Sequence, residues 1–262
     1  MDVLLRPWEL ITDPVFYGTE RLPESGPALF VGNHTIFGLL DLPLLIVHVH
    51  RTRGLFLRGL GDHAHFKVPV WGDFLSRFGA VDGTRENARE LLRGGEAVLV
   101  LPGGGREVAK RKGERYRLIW KQRMGFARLA IEAGCPIVPF GAVGAEEAYE
   151  ILVDADSPVM APVRAAFERL GGRSELLFPL ASGFAGSPLP RPQRFYFAFG
   201  EPIDTGPYGG NLEDGRAARR LRDAVRLAVE DRIQFLRDQR ENDPERDLRR
   251  RLGRKVLPTR EG

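Results

Sequence analysis

Apolar runs rich in β-branched and aromatic residues recur at residues 28–31, 55–57, 97–101, 136–143 and 194–199, each closed off by glycine, proline or charge. Side chains of that shape suit a pleated, half-buried surface, so each run is expected to form a strand. Between them the apolar positions switch to helical spacing, over residues 37–50, 68–78, 86–92, 118–133 and, after Ser157-Pro158, 159–170. This alternation predicts an α/β fold: a largely parallel central sheet flanked by helices on both faces. In such sheets the loops at the carboxyl ends of the strands converge on ligands. Gly32-Asn33-His34, after the first strand, and Pro102-Gly103-Gly104-Gly105-Arg106, after the third, are both expected on that rim.

Toward the end the pattern changes. Residues 178–192 are rich in proline, glycine and serine and read as an irregular connection that either lines a mouth or crosses the surface. Beyond Gly210, Leu221, Val225, Ala228, Val229, Ile233 and Leu236 recur at helical spacing among arginines and acids. That predicts an amphipathic helix fraying into a charged tail. The domain reading is therefore 1–210, with the helix and tail of 211–262 part of the same domain or appended to it. Residues 3–17 also have amphipathic character, and Trp8, Trp71 and Trp120 suit a bilayer interface and a packed core equally.

Composition narrows the class. A chain of 262 residues with 43% hydrophobic and 28% charged residues can bury a real core, which excludes a disordered or fibrous protein. Cys135 is the only cysteine, so a disulfide framework and a cysteine-built zinc site are excluded; its place at the entry to an apolar run suits a small buried side chain. The longest apolar stretch, 39–49, contains Asp41, Pro43 and His48 and falls short of the about 20 residues a spanning helix needs. The first residues lack the pattern of a secretory signal. A cytoplasmic chain is expected.

Net charge is only +4, but residues 106–123 gather Arg106, Lys110, Arg111, Lys112, Arg115, Arg117, Lys121 and Arg123 against Glu107 and Glu114. Such a segment attracts anions, unless it is simply a solvated loop and helix face. The arginine-rich end is interleaved with acids, which disfavours a nucleic-acid binder. A serine lipid esterase would need a Gly-x-Ser-x-Gly elbow, and a nucleotide-driven enzyme a phosphate loop; neither occurs. His48-Val49-His50 and His63-Ala64-His65 lack the further ligands a metal requires.

Of the remaining candidates His34 has both position and chemistry, since an imidazole at a strand end titrates near neutral pH and can take a proton from a hydroxyl. Four blocks around it carry a resemblance: Asn33-His34 with Asp41; Arg58-Gly59-Leu60-Gly61-Asp62 through Val68-Pro69 to Gly79-Ala80-Val81-Asp82-Gly83; Leu101 to Glu107; and Pro136-Ile137-Val138-Pro139. In that order they resemble the glycerolipid acyltransferases of the lysophosphatidic acid acyltransferase superfamily, in the branch of diacylglycerol acyltransferase 2 and the plant phytyl ester synthases.

The resemblance implies a peripheral membrane enzyme in which His34 deprotonates a lipid hydroxyl that attacks an acyl-coenzyme A or acyl-carrier-protein thioester. No cofactor, metal or covalent acyl-enzyme is implied. Asp41 would assist His34, while Asn33, Arg58, Gly103, Gly104, Gly105 and Arg106 would face substrate, the glycines as an anion-binding concavity and Arg106 as a fork for phosphate.

Two departures stand out. Asp41 follows His34 by seven residues rather than the usual five; on one continuous helix that separates them by about 10 Å along the axis, so pairing requires an irregular backbone near Gly38 or a His34 outside the helix. In the third block the usual Phe-Pro-Glu-Gly-Thr-Arg becomes Leu-Pro-Gly-Gly-Gly-Arg, and the glutamate is missing. That points away from glycerol phosphate and toward a neutral glycerolipid or long-chain alcohol as acceptor, with the phosphate-bearing acceptor as the alternative.

Overall fold

The computed structural model describes residues 2–67, 70–209, 215–248 and 250–251. Val68-Pro69 of the second block, the start of the last region at 211–214 and the expected tail from 252 onward lie outside the described residues. The chain opens with α1 (Asp2–Thr12), β1 (Val15–Tyr17), β2 (Ala28–Gly32), α2 (Leu42–Arg53), β3 (Leu57–Gly61) and α3 (His63–Phe66). It continues through α4 (Trp71–Arg77), β4 (Val81–Asp82), α5 (Arg85–Arg93), β5 (Ala97–Val100), α6 (Gly105–Val108), α7 (Gly125–Ala133) and β6 (Ile137–Val143). An excursion then carries β7 (Glu150–Val153), α8 (Ala161–Arg169) and β8 (Leu180–Ser182), before β9 (Tyr196–Phe199) and the long α9 (Gly215–Asn242).

Seven strands form one sheet in the order β1-β9-β6-β2-β5-β3-β4, and β7 pairs with β8 alone. Strands β2 to β6 are parallel, whereas β9 runs antiparallel to β6 and carries β1 with it. The expected α/β class therefore holds. Every residue of β2 and of β6 is buried, as strands covered on both faces must be. Leu29, Val31, Val98 and Ile137 face α5, α7 and α9, while Ala28, Phe30, Leu99 and Phe140 face α1 and α2.

The helix expected beyond Gly210 is α9, and its apolar stripe is part of the main core. It reaches the sheet where β6 has a glycine: a Cβ on Gly141 would stand 3.0 Å from the Ile233 amide nitrogen. Leu221 is fully buried on this stripe, so Leu221→Ala is expected to cost about 2–5 kcal/mol, read as a lower urea midpoint at unchanged slope.

Boundaries differ where backbone chemistry overrides periodicity. The helix expected at 37–50 starts only at Leu42, because Phe37 and Gly38 take φ values of 60° and 65° and Pro43 occupies the first turn. The helix expected at 118–133 starts at Gly125, after positive φ at Tyr116 and Lys121. Of residues 55–57, only Leu57 is in a strand, as the first residue of β3. Among the described residues no helix is long and apolar enough to cross a membrane.

Candidate active site

Strand β2 lies between β5 and β6, with Val31 level with both Val100 and Pro139. The segments leaving these strands, around His34, the glycine turn and Glu146, therefore share one edge of the sheet. Asn33 fixes the first of them. Its carboxamide nitrogen donates to the Ala142 carbonyl at 2.9 Å and its oxygen accepts the Ala142 N–H at 2.8 Å, so the side chain extends the ladder beyond β2. Asn33 is 1% exposed and engaged at both ends, which corrects the expectation that it faces substrate.

His34 follows, half-buried. Its backbone N–H donates to Glu107 Oε2 at 2.9 Å, and its carbonyl accepts from Lys110 Nζ at 3.0 Å. Next along the loop, the Phe37 N–H donates to the Val108 carbonyl at 3.2 Å. The positive φ values at Phe37 and Gly38 fold the chain back so that the imidazole lies against the Gly38 Cα, where any Cβ would overlap the ring. Burial, then the charge of Lys110, then that of His65, lowers the imidazole to about 3. The ring is therefore neutral near pH 7, and the same burial and charge lower its affinity for a proton. Its Nδ1 is buried and has no hydrogen-bond partner among the described residues.

Asp41 is the residue before α2, which places His34 outside the helix. It is not hydrogen-bonded to His34. Its Oδ1 accepts from Thr35 Oγ1 at 3.0 Å, and Oδ2 is buried without a partner among the described residues. Burial is the main cause that raises the carboxyl to about 6 from 3.8. A carboxyl whose folded pKa is raised is no burden below its unfolded value and a full one above its folded value. Asp41→Asn, which keeps an acceptor for Thr35, is thus expected to stabilise the protein by on the order of 3 kcal/mol at pH 8 and by well under about 1 kcal/mol near pH 4. Melting temperatures at the two pH values check this.

The glycine turn is built around a side chain that sequence reasoning passed over. A Cβ at Gly103 would overlap the Glu107 carboxyl group, so the turn admits that side chain only with glycine there. Glu107 is fully buried, and its Oε1 accepts the Ile119 N–H at 2.5 Å. Gly104, at φ 52° and ψ −152°, holds a conformation that is essentially glycine's alone. Arg123 donates to the carbonyls of Pro102 at 2.7 Å and Gly103 at 2.6 Å. A Cβ on Gly105 would meet Leu176 at 3.0 Å.

Much of the cationic segment is paired within the chain, while Lys112, Arg115, Arg117 and Lys121 remain exposed. Lys110 pairs with buried Glu146, whose other oxygen accepts the Tyr116 N–H at 2.8 Å. Arg106 is forked onto Glu114 at 2.9 and 2.7 Å, so an anion reaches it only by displacing that carboxylate. Arg111 binds Asp156 at 2.9 Å and the Leu177 carbonyl at 3.0 Å, Lys112 the Leu152 carbonyl at 2.8 Å, and Lys121 Glu175 at 2.6 Å. Arg58, expected at an acceptor headgroup, is level with Val98 and Leu29 in the body of the sheet, about 15 Å short of the His34 edge.

The other histidines have local roles. His48 stacks on Phe16 with ring centres 3.5 Å apart, and His63 Nδ1 contacts Asp82 at 2.6 Å. No cluster of metal-ligating side chains occurs among the described residues. Burial pushes the Cys135 thiol up to about 11, in keeping with a small apolar role.

A half-buried imidazole thus stands on the rim of an α/β sheet, beside the glycine turn. The chain matches the Acyltransferase family over residues 13–143, the span that holds the His34 loop and the glycine turn, and it belongs to that family. It is 34% identical over 255 residues to phytyl ester synthase 2, chloroplastic, of Arabidopsis thaliana, a match covering 89% of this chain and 35% of that protein. It is 29% identical over 221 residues to a Bos taurus protein named DGAT1/2-independent enzyme synthesizing storage lipids, covering 82% of this chain and 58% of that one. The chain thus spans between about a third and three fifths of the length of these relatives. Among solved structures, the 1-acyl-sn-glycerophosphate acyltransferase of Thermotoga maritima is 17% identical, with a TM-score of 0.49 over 86% of this chain and 75% of that one.

Proposed function

We propose that this chain is an O-acyltransferase that moves a fatty-acyl group from a thioester to a lipid hydroxyl, with His34 as general base. The observation that carries the reading is the half-buried His34 at the carboxyl end of the central strand, held by both of its backbone polar groups. The ring takes the hydroxyl proton as the alcohol oxygen bonds to the thioester carbonyl carbon; the carbon–sulfur bond then breaks and the imidazolium returns the proton to the departing thiolate. The donor is an acyl-coenzyme A or an acyl-carrier protein, acting as a co-substrate, and no cofactor takes part.

His34 Nδ1 and Asp41 Oδ2 are a buried ring nitrogen and a buried carboxyl oxygen on one loop, neither with a partner among the described residues. Catalytic hydrogen bonds are commonly made only once substrate is bound, and we assign these two atoms to such a bond. With His34 neutral down to about 3, any loss of kcat/KM between pH 7 and 5 is expected to follow Asp41, at about 6, and to vanish in Asp41→Asn. A limb near 6.5 that survives the substitution would count against a desolvated His34.

The acceptor is a neutral lipid in this reading, because the Arg106 fork is closed by Glu114 and the named relatives are a phytyl ester synthase and an enzyme of storage lipids. The membrane face is the excursion after β6, which packs on the His34 loop through Phe37 against Tyr149 and Phe178, with ring centres 4.8 and 5.4 Å apart. It leaves Val159, Leu170, Leu180, Phe184 and Leu189 each more than half exposed. Phe184→Asp with Leu189→Asp is expected to abolish flotation with lipid vesicles without lowering the melting temperature. Incubation with labelled oleoyl-coenzyme A and a panel of neutral and phosphate-bearing acceptors, with products identified by mass, tests the reading. Free oleate as the sole product would make the chain a hydrolase.

A further inference from the structure

We infer that Glu107 is a positioning residue for His34, and that glycine stands at position 103 to admit its carboxylate. The inference rests on the reading of His34 as the base. The glycine turn carries no acid at 103, yet the space in which a Cβ at 103 would stand is filled by the Glu107 carboxyl group, delivered from four residues further on. The carboxylate is fully buried and reaches two backbone donors, the His34 N–H at 2.9 Å and the Ile119 N–H at 2.5 Å.

The two donors meet different oxygens, the His34 N–H on Oε2 and the Ile119 N–H on Oε1. A carboxylate supplies both, whereas the isosteric amide of glutamine supplies one and presents an unwelcome N–H to the other. From the same short segment, Lys110 holds the His34 carbonyl. The peptide groups on both sides of the His34 Cα are thus fixed by one acid and one base three residues apart, which sets the direction of the imidazole without either side chain forming a hydrogen bond to the ring. Gly38 closes the arrangement from below. A base displaced by even about 1 Å loses on the order of a hundredfold in rate.

The test compares Glu107→Ala, Glu107→Gln, Gly103→Ala and the double variant Gly103→Ala/Glu107→Ala in the full chain. Glu107→Ala is expected to lower kcat by about 10- to 100-fold while both KM values stay within about twofold, since the substrates are not touched. Glu107→Gln should fall between it and the parent. Gly103→Ala should match Glu107→Ala because it expels the carboxylate, and the double variant should be no worse than either single one. Additive losses would overturn the coupling.

Nitrogen-15 histidine labelling supplies a readout independent of turnover. The His34 ring resonances should move in Glu107→Gln and in Gly103→Ala, with those of His48 and His50 unchanged. Unmoved His34 resonances together with parental kcat in Glu107→Gln overturn the inference even if the alanine variant fails to fold. If His34→Ala keeps full turnover while the resonances move as expected, it is the catalytic reading that fails and the positioning that stands.

Discussion

His34→Ala is expected to lower kcat/KM for acyl transfer by about 10²- to 10⁴-fold, the usual worth of a positioned general base, while the fold is kept. The imidazole is half-buried at a loop and belongs to neither core cluster, so removing it leaves both hydrophobic layers intact. The clamps that order the loop bind the backbone of residue 34 and survive the change. Release of free thiol from an oleoyl thioester in the presence of a long-chain alcohol gives the rate, and a matched circular dichroism spectrum verifies folding. Parental turnover with an unchanged spectrum would remove His34 from the reaction.

The second large effect concerns stability. Lys110→Met takes the positive charge from a buried group that contains Glu146 and Glu107, and breaking a buried ion pair on one side costs about 3–5 kcal/mol. The loss should depend on pH in a definite sense. Burial already raises both carboxyls above their ordinary range, and without the lysine they rise further. The folded variant then binds more protons than the unfolded chain in the window above the ordinary glutamate value, so its stability falls as pH rises through that window and recovers on acidification from pH 7 toward 5. Urea titrations at pH 5 and 7 on both proteins measure it; a deficit equal at the two pH values would show that removing Lys110 leaves the titration of the two carboxyls unchanged. Loss of the Lys110 charge also relieves His34, whose imidazole should titrate higher than in the parent.

Much of this arrangement was legible along the chain because it depends on local patterns. Continuous apolar runs gave the central strands, since a strand covered on both faces has no polar side to show. The stripe from Leu221 to Leu236 announced α9, and the position of His34 after the first run placed it on the rim. Short strands were not legible: β1 and β4 have three and two residues, too few for a period to register. The late starts of α2 and α7 depend on positive φ at Phe37, Tyr116 and Lys121, which no residue type at those positions signals.

The site was legible only in part, and for a different reason. Arg106, Lys110, Arg111 and Lys121 were visible as a cluster, and without their partners they read as a site for anions. Glu146, Asp156 and Glu175, which pair with three of them, lie 36 to 54 residues away in sequence. Asn33 looked like a substrate ligand because its two backbone partners on β6 are 109 residues distant. Glu107 did carry a signal: an acid beside a run of three glycines, where small residues leave room for one large side chain to turn inward.

The internal pairing of residues 106–123 also bears on where this protein can be cut. The region matched to the family stops at Val143, yet the acids that answer Lys110, Arg111 and Lys121 all come later, and so do β9 and α9, which cover one edge and one face of the sheet. A fragment ending at the last matched residue would keep the His34 loop and the glycine turn and lose the counter-ions and the roof together. Homology and autonomy part company at that point in the chain: the matched stretch leaves its cations without the acids that answer them.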